Sequence, residues 1–295
     1  MASLYEEALN EASLDPNVLQ KLVGDRSASN VRSLRLVMLG CEPKMPYGPN
    51  GHTAQLFLDL LETICHQKNP RDLTILSIKV YDVQQGEYPA NEAEWDSYDG
   101  VLLPGSFSSA YDPDPWILEL QRVLQEHVVA NRRKTLGICF GHQVLAQSFP
   151  DGNVIAVPSG ARAGRLTSIH TEEGTNLLGC ETADLFYTHG DMVEKLPSCA
   201  VRLGGSDRVP IEAAAYYHES TPYAVTFQAH PEFASSRDLG LYRTLQLIMD
   251  AMEERGAIAK ESRAKAGEDA IASFGDVQLP SVALVTRVAE LFGWL

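Results

Sequence analysis

The chain has 295 residues, 44% of them hydrophobic and 21% charged, enough for one large α/β domain with appendages or two small domains. Its 39 acidic and 24 basic residues give a formal net charge of -15, which excludes a general attraction to a phosphate backbone. The one compact basic run, Arg132-Arg133-Lys134, reads as the solvated end of a helix. Five widely spaced cysteines, Cys41, Cys65, Cys139, Cys180 and Cys199, contain no Cys-x-x-Cys pair, which argues against a zinc or dithiol site and for a reduced compartment. The acidic start, Met1 to Glu7, lacks the basic region of a secretory signal, and no segment approaches the roughly 20 apolar residues of a bilayer-crossing helix. A soluble, cytoplasmic protein that binds neither nucleic acid nor membrane is expected.

Residues 1–33 read as a partly helical extension outside the main core: Leu4, Ala8 and Leu9 share one face, while Pro16 and the stretch Gly24 to Asn30 break the pattern. The apolar run Leu34 to Leu39 has the size of a buried strand and stops at Gly40, before a Pro/Gly-rich loop from Pro43 to Gly51. Leu56, Leu60, Leu61 and Ile64 recur at helical spacing within Thr53 to Ile64, and Leu73 to Val80 reads as the next strand. Gly100 to Leu103 is a short strand ending in Pro104-Gly105-Ser106; Trp116 to Val129 is an amphipathic helix, and Thr135 to Ile138 a further strand. Strands alternating with helices of this length imply a parallel sheet covered on both faces. Beyond Pro150 the short segments 153–157, 165–170, 200–203, 213–217 and 224–228 suit an antiparallel or mixed extension of that sheet. Helical pattern returns from Leu239 to Met252. Two helical runs around Pro280 follow, the last rich in apolar residues and expected to dock on the body or on another subunit.

Gly137-Ile138-Cys139-Phe140-Gly141 places a cysteine between two glycines, after an apolar strand and before a helix over His142 to Ser148. This is the nucleophile-elbow arrangement with Cys in place of Ser. Flanking glycines remove Cβ atoms that would collide with neighbouring strands, and the helix that follows aims its N–H groups and positive dipole end at the sulfur, favouring a thiolate. A cysteine nucleophile needs a histidine to move its proton, and that histidine works better beside a carboxylate. The strand Ala224 to Gln228 runs directly into His230-Pro231-Glu232, where Pro231 is expected to keep the turn extended so that both side chains emerge on one side. A tetrahedral oxyanion needs preorganised donors; the N–H of Ser106, in a turn that Gly105 frees, and the N–H of Phe140 form the natural pair.

Gly-Ile-Cys-Phe-Gly-His-Gln at 137–143, His-Gly-Asp-Met-Val at 189–193 and Gln-Ala-His-Pro-Glu at 228–232 resemble, in order and spacing, the class I glutamine amidotransferase family. Gly86-Glu87-Tyr88-Pro89, Tyr98-Asp99-Gly100 and Asp114-Pro115-Trp116-Ile117 add a likeness to its stand-alone γ-glutamyl peptidases and their fungal relatives. The resemblance implies a flavodoxin-like, doubly wound, mostly parallel sheet over residues 34–253, with an extension at 1–33 and a helical appendage at 254–295. It implies a triad of Cys139, His230 and Glu232, an oxyanion hole at Ser106 and Phe140 beside Gly105, a glutamyl contact at Gln143, and a substrate shelf at His189, Gly190 and Asp191. Gly105-Ser106-Phe107 departs from the usual Gly-Gly-Pro, and Pro150-Asp151-Gly152-Asn153 stands where a Gly-Gly pair is common, so both bear on substrate identity.

The implied reaction is hydrolysis or transfer at a γ-glutamyl amide or peptide bond through a thioester on Cys139, without metal or organic cofactor. The roughly 40 residues after Met252 are too few for a synthetase domain in the same chain. One alternative is a glutaminase subunit feeding ammonia to a separate synthetase, docked through the C-terminal helix, which could equally mediate a homodimer. Another is an amide hydrolase or transferase acting on a specialised metabolite. A non-catalytic binding protein on the same scaffold would be expected to lack a triad member, and none is missing.

Overall fold

The computed structural model describes residues 15–28, 30–44, 49–234 and 243–295. The face expected from Leu4, Ala8 and Leu9 lies outside them, as does the first part of the helix expected from Leu239. The first half of the chain runs β1 (Val18–Gly24), β2 (Val31–Gly40), α1 (Asn50–Lys68), β3 (Leu73–Asp82), α2 (Glu92–Trp95), β4 (Gly100–Leu103), α3 (Pro115–Val123), β5 (Thr135–Ile138) and α4 (Phe140–Gln147). It continues with β6 (Asn153–Ala156), β7 (Arg162–His170), α5 (Glu172–Leu178), β8 (Thr182–His189), β9 (Asp191–Lys195), β10 (Ala200–Gly205), β11 (Ala213–His218) and β12 (Thr221–Phe227). Three helices, α6 (Gln246–Glu254), α7 (Lys260–Ala272) and α8 (Phe274–Phe292), complete it.

Ten strands share one sheet in the order β1-β3-β2-β4-β5-β12-β11-β10-β7-β8, and β6 pairs with β9 in a small second sheet. The central strands β3, β2, β4, β5 and β12 run parallel. Beyond β12 the sheet continues through β11, β10, β7 and β8 in antiparallel pairs, the mixed extension that the turn-rich sequence implies. Alternate side chains of β2 face opposite layers: Leu34, Leu36 and Met38 pack with α1 and α8, whereas Val37 and Leu39 pack with α3 and α4. Helices therefore cover both faces of a flavodoxin-like α/β sheet.

Three elements differ from their sequence expectation. Within the segment expected as an extension, β1 pairs antiparallel with β3 and contributes Val23 to the core. Gln20 and Lys21 interrupt its apolar pattern, and Lys21 is held by Asp59 and Glu62 of α1 at 2.6 and 2.5 Å, partners invisible to local reading. The helix expected to reach Val129 ends its α-helical part at Val123 and continues as a π-helical turn over Leu124–Val129. Pro280 lies inside α8 instead of between two helices. A proline there costs about 3 kcal/mol of helix stability, but Val277, Val282, Leu284, Val285, Val288 and Phe292 keep one buried stripe across it, so packing outweighs the lost N–H bond. That stripe lies against this chain's own body, with most of it in the same core as Leu36 and Ile78.

Candidate active site

Strands β4, β5 and β12 are parallel neighbours, so their C-terminal ends bring Pro104–Phe107, Cys139 and the segment after Phe227 to one sheet edge. Such a crevice is where open α/β sheets hold ligands. Cys139 has φ 53° and ψ −106°, a conformation that L residues rarely adopt and that stores on the order of 1–3 kcal/mol. It is held there from both sides: its N–H donates to Phe227 O at 2.8 Å, and its C=O accepts from Gln143 N at 3.1 Å in the first turn of α4.

Both flanking glycines are sterically required. A Cβ on Gly141 would stand 2.1 Å from Leu103 O, and one on Gly137 would stand 2.8 Å from Thr226 Cγ2. Gly141 N donates to Pro104 O at 3.1 Å, tying the elbow to the loop after β4. A Cβ on Gly105 would lie 3.1 Å from His230 Cε1 and 3.6 Å from Cys139 Cβ, so the absent side chain lets these three residues meet.

His230 is fixed by its N–H to Phe186 O at 2.8 Å and by stacking of its ring on Phe233 at 4.3 Å. Residues Pro231–Ala234 form a 3-10 turn, not the extended turn expected from the sequence, because proline's φ suits the first position of a helical turn. That turn brings Glu232 Oε1 to 2.7 Å from His230 Nδ1, with both residues buried. Burial alone would push the imidazole pKa down; the charges of Glu232 and Cys139 outweigh it and raise it to about 10. Nε2 is buried and is the ring's remaining proton-carrying position, and hydrogen bonding with Cys139 adds to the raised pKa. Burial pushes up the thiols of Cys41, Cys65, Cys180 and Cys199, which suits structural cysteines.

A cavity of about 210 Å³ opens on Cys139, walled by the loop Ser106–Ser109, by Gln143 and by the strand-to-strand turn Thr188–Asp191. Residues Ser106, Gln143, His189, Gly190 and Asp191 are thus assembled around the thiol, and Phe140 begins α4, where its N–H has no intrahelical acceptor. The shelf is internally bonded. Gln143 Nε2 donates to Asp191 O and to Gln228 Oε1, both at 3.0 Å, and Asp191 accepts from Ser109 Oγ at 2.6 Å and Tyr111 OH at 2.9 Å. Burial lowers the His189 pKa to about 3, so its ring is neutral and its Nδ1–H donates to Asp191 O at 2.8 Å. His142 is likewise pushed down to about 4 by burial, with Nδ1 at 2.7 Å from Thr226 Oγ1.

Glu42 and Arg255 belong to this neighbourhood without any sequence signal. Glu42 Oε2 accepts from Ser106 Oγ and from Phe107 N, each at 3.1 Å, and so fixes the loop after β4 from across 64 residues of sequence. Arg255 enters the cavity wall from the end of α6. Among the described residues no group of three or more His, Cys, Asp or Glu side chains is arranged to hold a metal ion, and no helix is long and apolar enough to cross a membrane.

The sheet order, the glycine-flanked cysteine and the paired histidine and carboxylate define an α/β protein of amidotransferase type. The sequence model of the class I glutamine amidotransferases matches residues 63–242, and the chain belongs to that family. It is 29% identical over 160 residues to γ-glutamyl peptidase 5 of Arabidopsis thaliana, an alignment covering 52% of this chain and 61% of the peptidase, so it spans under two thirds of that relative's length. It is 31% identical over 149 residues to a glutamine-hydrolysing GMP synthase of Wolinella succinogenes, covering 48% of this chain and 26% of the synthase. A solved glutamine amidotransferase from Thermotoga maritima superposes with a TM-score of 0.64 at 20% identity, over 87% of this chain and 98% of that one, which establishes the common fold.

Proposed function

We propose that the protein is a cysteine-dependent γ-glutamyl hydrolase or acyl transferase with Cys139, His230 and Glu232 as its triad. The observation that carries this reading is the strained Cys139 beside a buried imidazole whose Nδ1 lies 2.7 Å from the Glu232 carboxylate. Cys139 Sγ attacks the γ-carbonyl carbon, and the N–H groups of Ser106 and Phe140 receive the oxyanion. On collapse the C–N bond breaks, the amine leaves with the proton from His230 Nε2, and a γ-glutamyl thioester remains. Water then attacks the thioester, His230 takes its proton, and glutamate and the thiol are released; an amine in place of water gives transfer. Gln143 and the shelf of His189, Gly190 and Asp191 hold the amino-acid end, in large part through backbone groups, because the Asp191 carboxylate already accepts from Ser109 and Tyr111. In this reading residues 34–253 form the amidotransferase-like domain and 254–295 its helical appendage, in a cytoplasmic enzyme. The peptidase relative favours a γ-glutamyl peptide as substrate.

The second reading, a glutaminase supplying ammonia to a separate synthetase chain, draws on the GMP synthase relative. It predicts a glutaminase activity that stays low until that partner is added. Both readings are tested by mass spectrometry of the intact protein after brief exposure to a γ-glutamyl chloromethyl ketone, with glutamine, glutathione and γ-glutamyl dipeptides as competitors. Labelling confined to Cys139 and blocked best by the peptides supports the peptidase. Protection by glutamine alone supports the ammonia-supplying subunit, and absence of labelling at Cys139 overturns the γ-glutamyl assignment.

A further inference from the structure

The guanidinium of Arg255 lies 4.2 Å from the centre of the Phe107 ring, directly over it, and both residues line the cavity that opens on Cys139. Arg255 sits where α6 ends, just before Gly256 turns the chain with a φ of 71°, so its backbone is set by the helix and its side chain by the aromatic platform. Such a stack steadies the guanidinium and leaves its N–H donors free at the edge.

Among the described residues the charge has no claimant. The arginine is exposed, and among the described residues none forms an ion pair with it. The carboxylate in the same cavity wall, Asp191, is occupied by the hydroxyls of Ser109 and Tyr111. A cation lining the same cavity as a nucleophile, and unpaired among the described residues, is suited to a planar anion, which guanidinium binds through two parallel hydrogen bonds.

We propose that Arg255, held on Phe107, binds a carboxylate of the substrate acylating Cys139. This rests on the γ-glutamyl reading. That carboxylate is either the α-carboxylate of the glutamyl group or the terminal carboxylate of a departing peptide, the chemistry at the guanidinium being the same for both.

The test compares wild type with Arg255→Met and Arg255→Lys on glutamine, on a γ-glutamyl dipeptide and on the same dipeptide with its terminal carboxylate amidated. Alkylation of Cys139 by neutral iodoacetamide monitors the thiol itself. The expected result for Arg255→Met is a fall in kcat/KM of about tenfold or more, carried by KM, with alkylation at the wild-type rate and partial recovery in Arg255→Lys. A fall larger on the free dipeptide than on its amide assigns the leaving peptide's carboxylate; an equal fall on all three substrates assigns the glutamyl α-carboxylate. Unchanged kcat/KM on every substrate overturns the proposal, as does a fall matched by slower alkylation, which marks a merely structural residue. Failure of wild type to turn over any of the three is a separate outcome: it removes the γ-glutamyl reading and this proposal with it.

Discussion

Nδ1 of His230 and Oε1 of Glu232 stand 2.7 Å apart, two residues from each other in sequence and both buried. The carboxylate therefore fixes the tautomer that leaves Nε2 toward the thiol, and it favours the charged imidazole. Glu232→Gln keeps the shape and removes the charge. Turnover of a γ-glutamyl substrate should fall by about a hundred- to ten-thousandfold without vanishing. Because the His230 pKa is raised from 6.5 to about 10, the alkaline fall in activity should move to lower pH in the variant. The sign for stability follows from the same shift: the contribution is whole below about pH 6.5 and is lost as pH rises through about 10. Wild type should thus lose more stability than Glu232→Gln between pH 7 and 10, which urea titrations at the two pH values would measure.

Cys139 separates chemistry from strain. Cys139→Ala removes the sulfur and keeps the Cβ, so turnover should be abolished while φ 53° remains strained. Cys139→Gly should be equally inactive and about 1 kcal/mol more stable than Cys139→Ala, since glycine relieves the conformation but adds unfolded-chain entropy. Denaturant titration of the two variants decides it. A Cys139→Gly variant less stable than Cys139→Ala by the ordinary glycine cost of about 0.5–1 kcal/mol would mean that the elbow stores no strain, and wild-type activity in either would sink the mechanism.

The two glycines around Cys139 made the elbow legible, because the steric demand at Leu103 O and Thr226 Cγ2 is met within five consecutive residues. The parallel core was legible for a similar reason: β4 and β5 are short apolar runs bounded by turns. His230 and Glu232 could be paired because they are neighbours in sequence, although the 3-10 turn that joins them was not foreseen. What escaped reading depends on distant partners. Lys21 in β1 is neutralised by α1, Glu42 meets a loop 64 residues on, and Arg255 is placed by the end of α6. None of these residues has a local pattern that distinguishes it from a solvated charge.

Glu42 gives a test of positioning without chemistry. Its carboxylate accepts from both Ser106 Oγ and Phe107 N, and so holds the loop whose N–H is proposed to meet the oxyanion. Glu42→Ala should lower kcat about tenfold with a smaller change in KM, since losing one oxyanion donor outright costs about 2.7–4 kcal/mol and a loosened donor costs less. Glu42→Gln, which retains an acceptor, should recover part of it. A pure KM effect in both variants would show that the loop serves substrate binding and not the transition state.

Trp294 locks the C-terminal helix onto the sheet. A Cβ on Gly100 would stand 2.3 Å from Trp294 Cζ2, so the indole occupies the space that glycine leaves at the start of β4, and its Nε1 donates to Asp99 O at 3.1 Å. The residue is 4% exposed and joins the core that holds Leu36 and Leu102. Trp294→Ala should destabilise the protein by about 3–5 kcal/mol, the range for emptying a buried aromatic site. Trp294→Phe should cost less, because it keeps much of the packing and gives up a hydrogen bond worth about 1 kcal/mol. Since α8 supplies none of the residues that wall the cavity, both variants should keep near-normal kcat at temperatures where they remain folded. Loss of kcat in fully folded Trp294→Phe would instead couple the chain terminus to the site, through β4 and the loop that follows it.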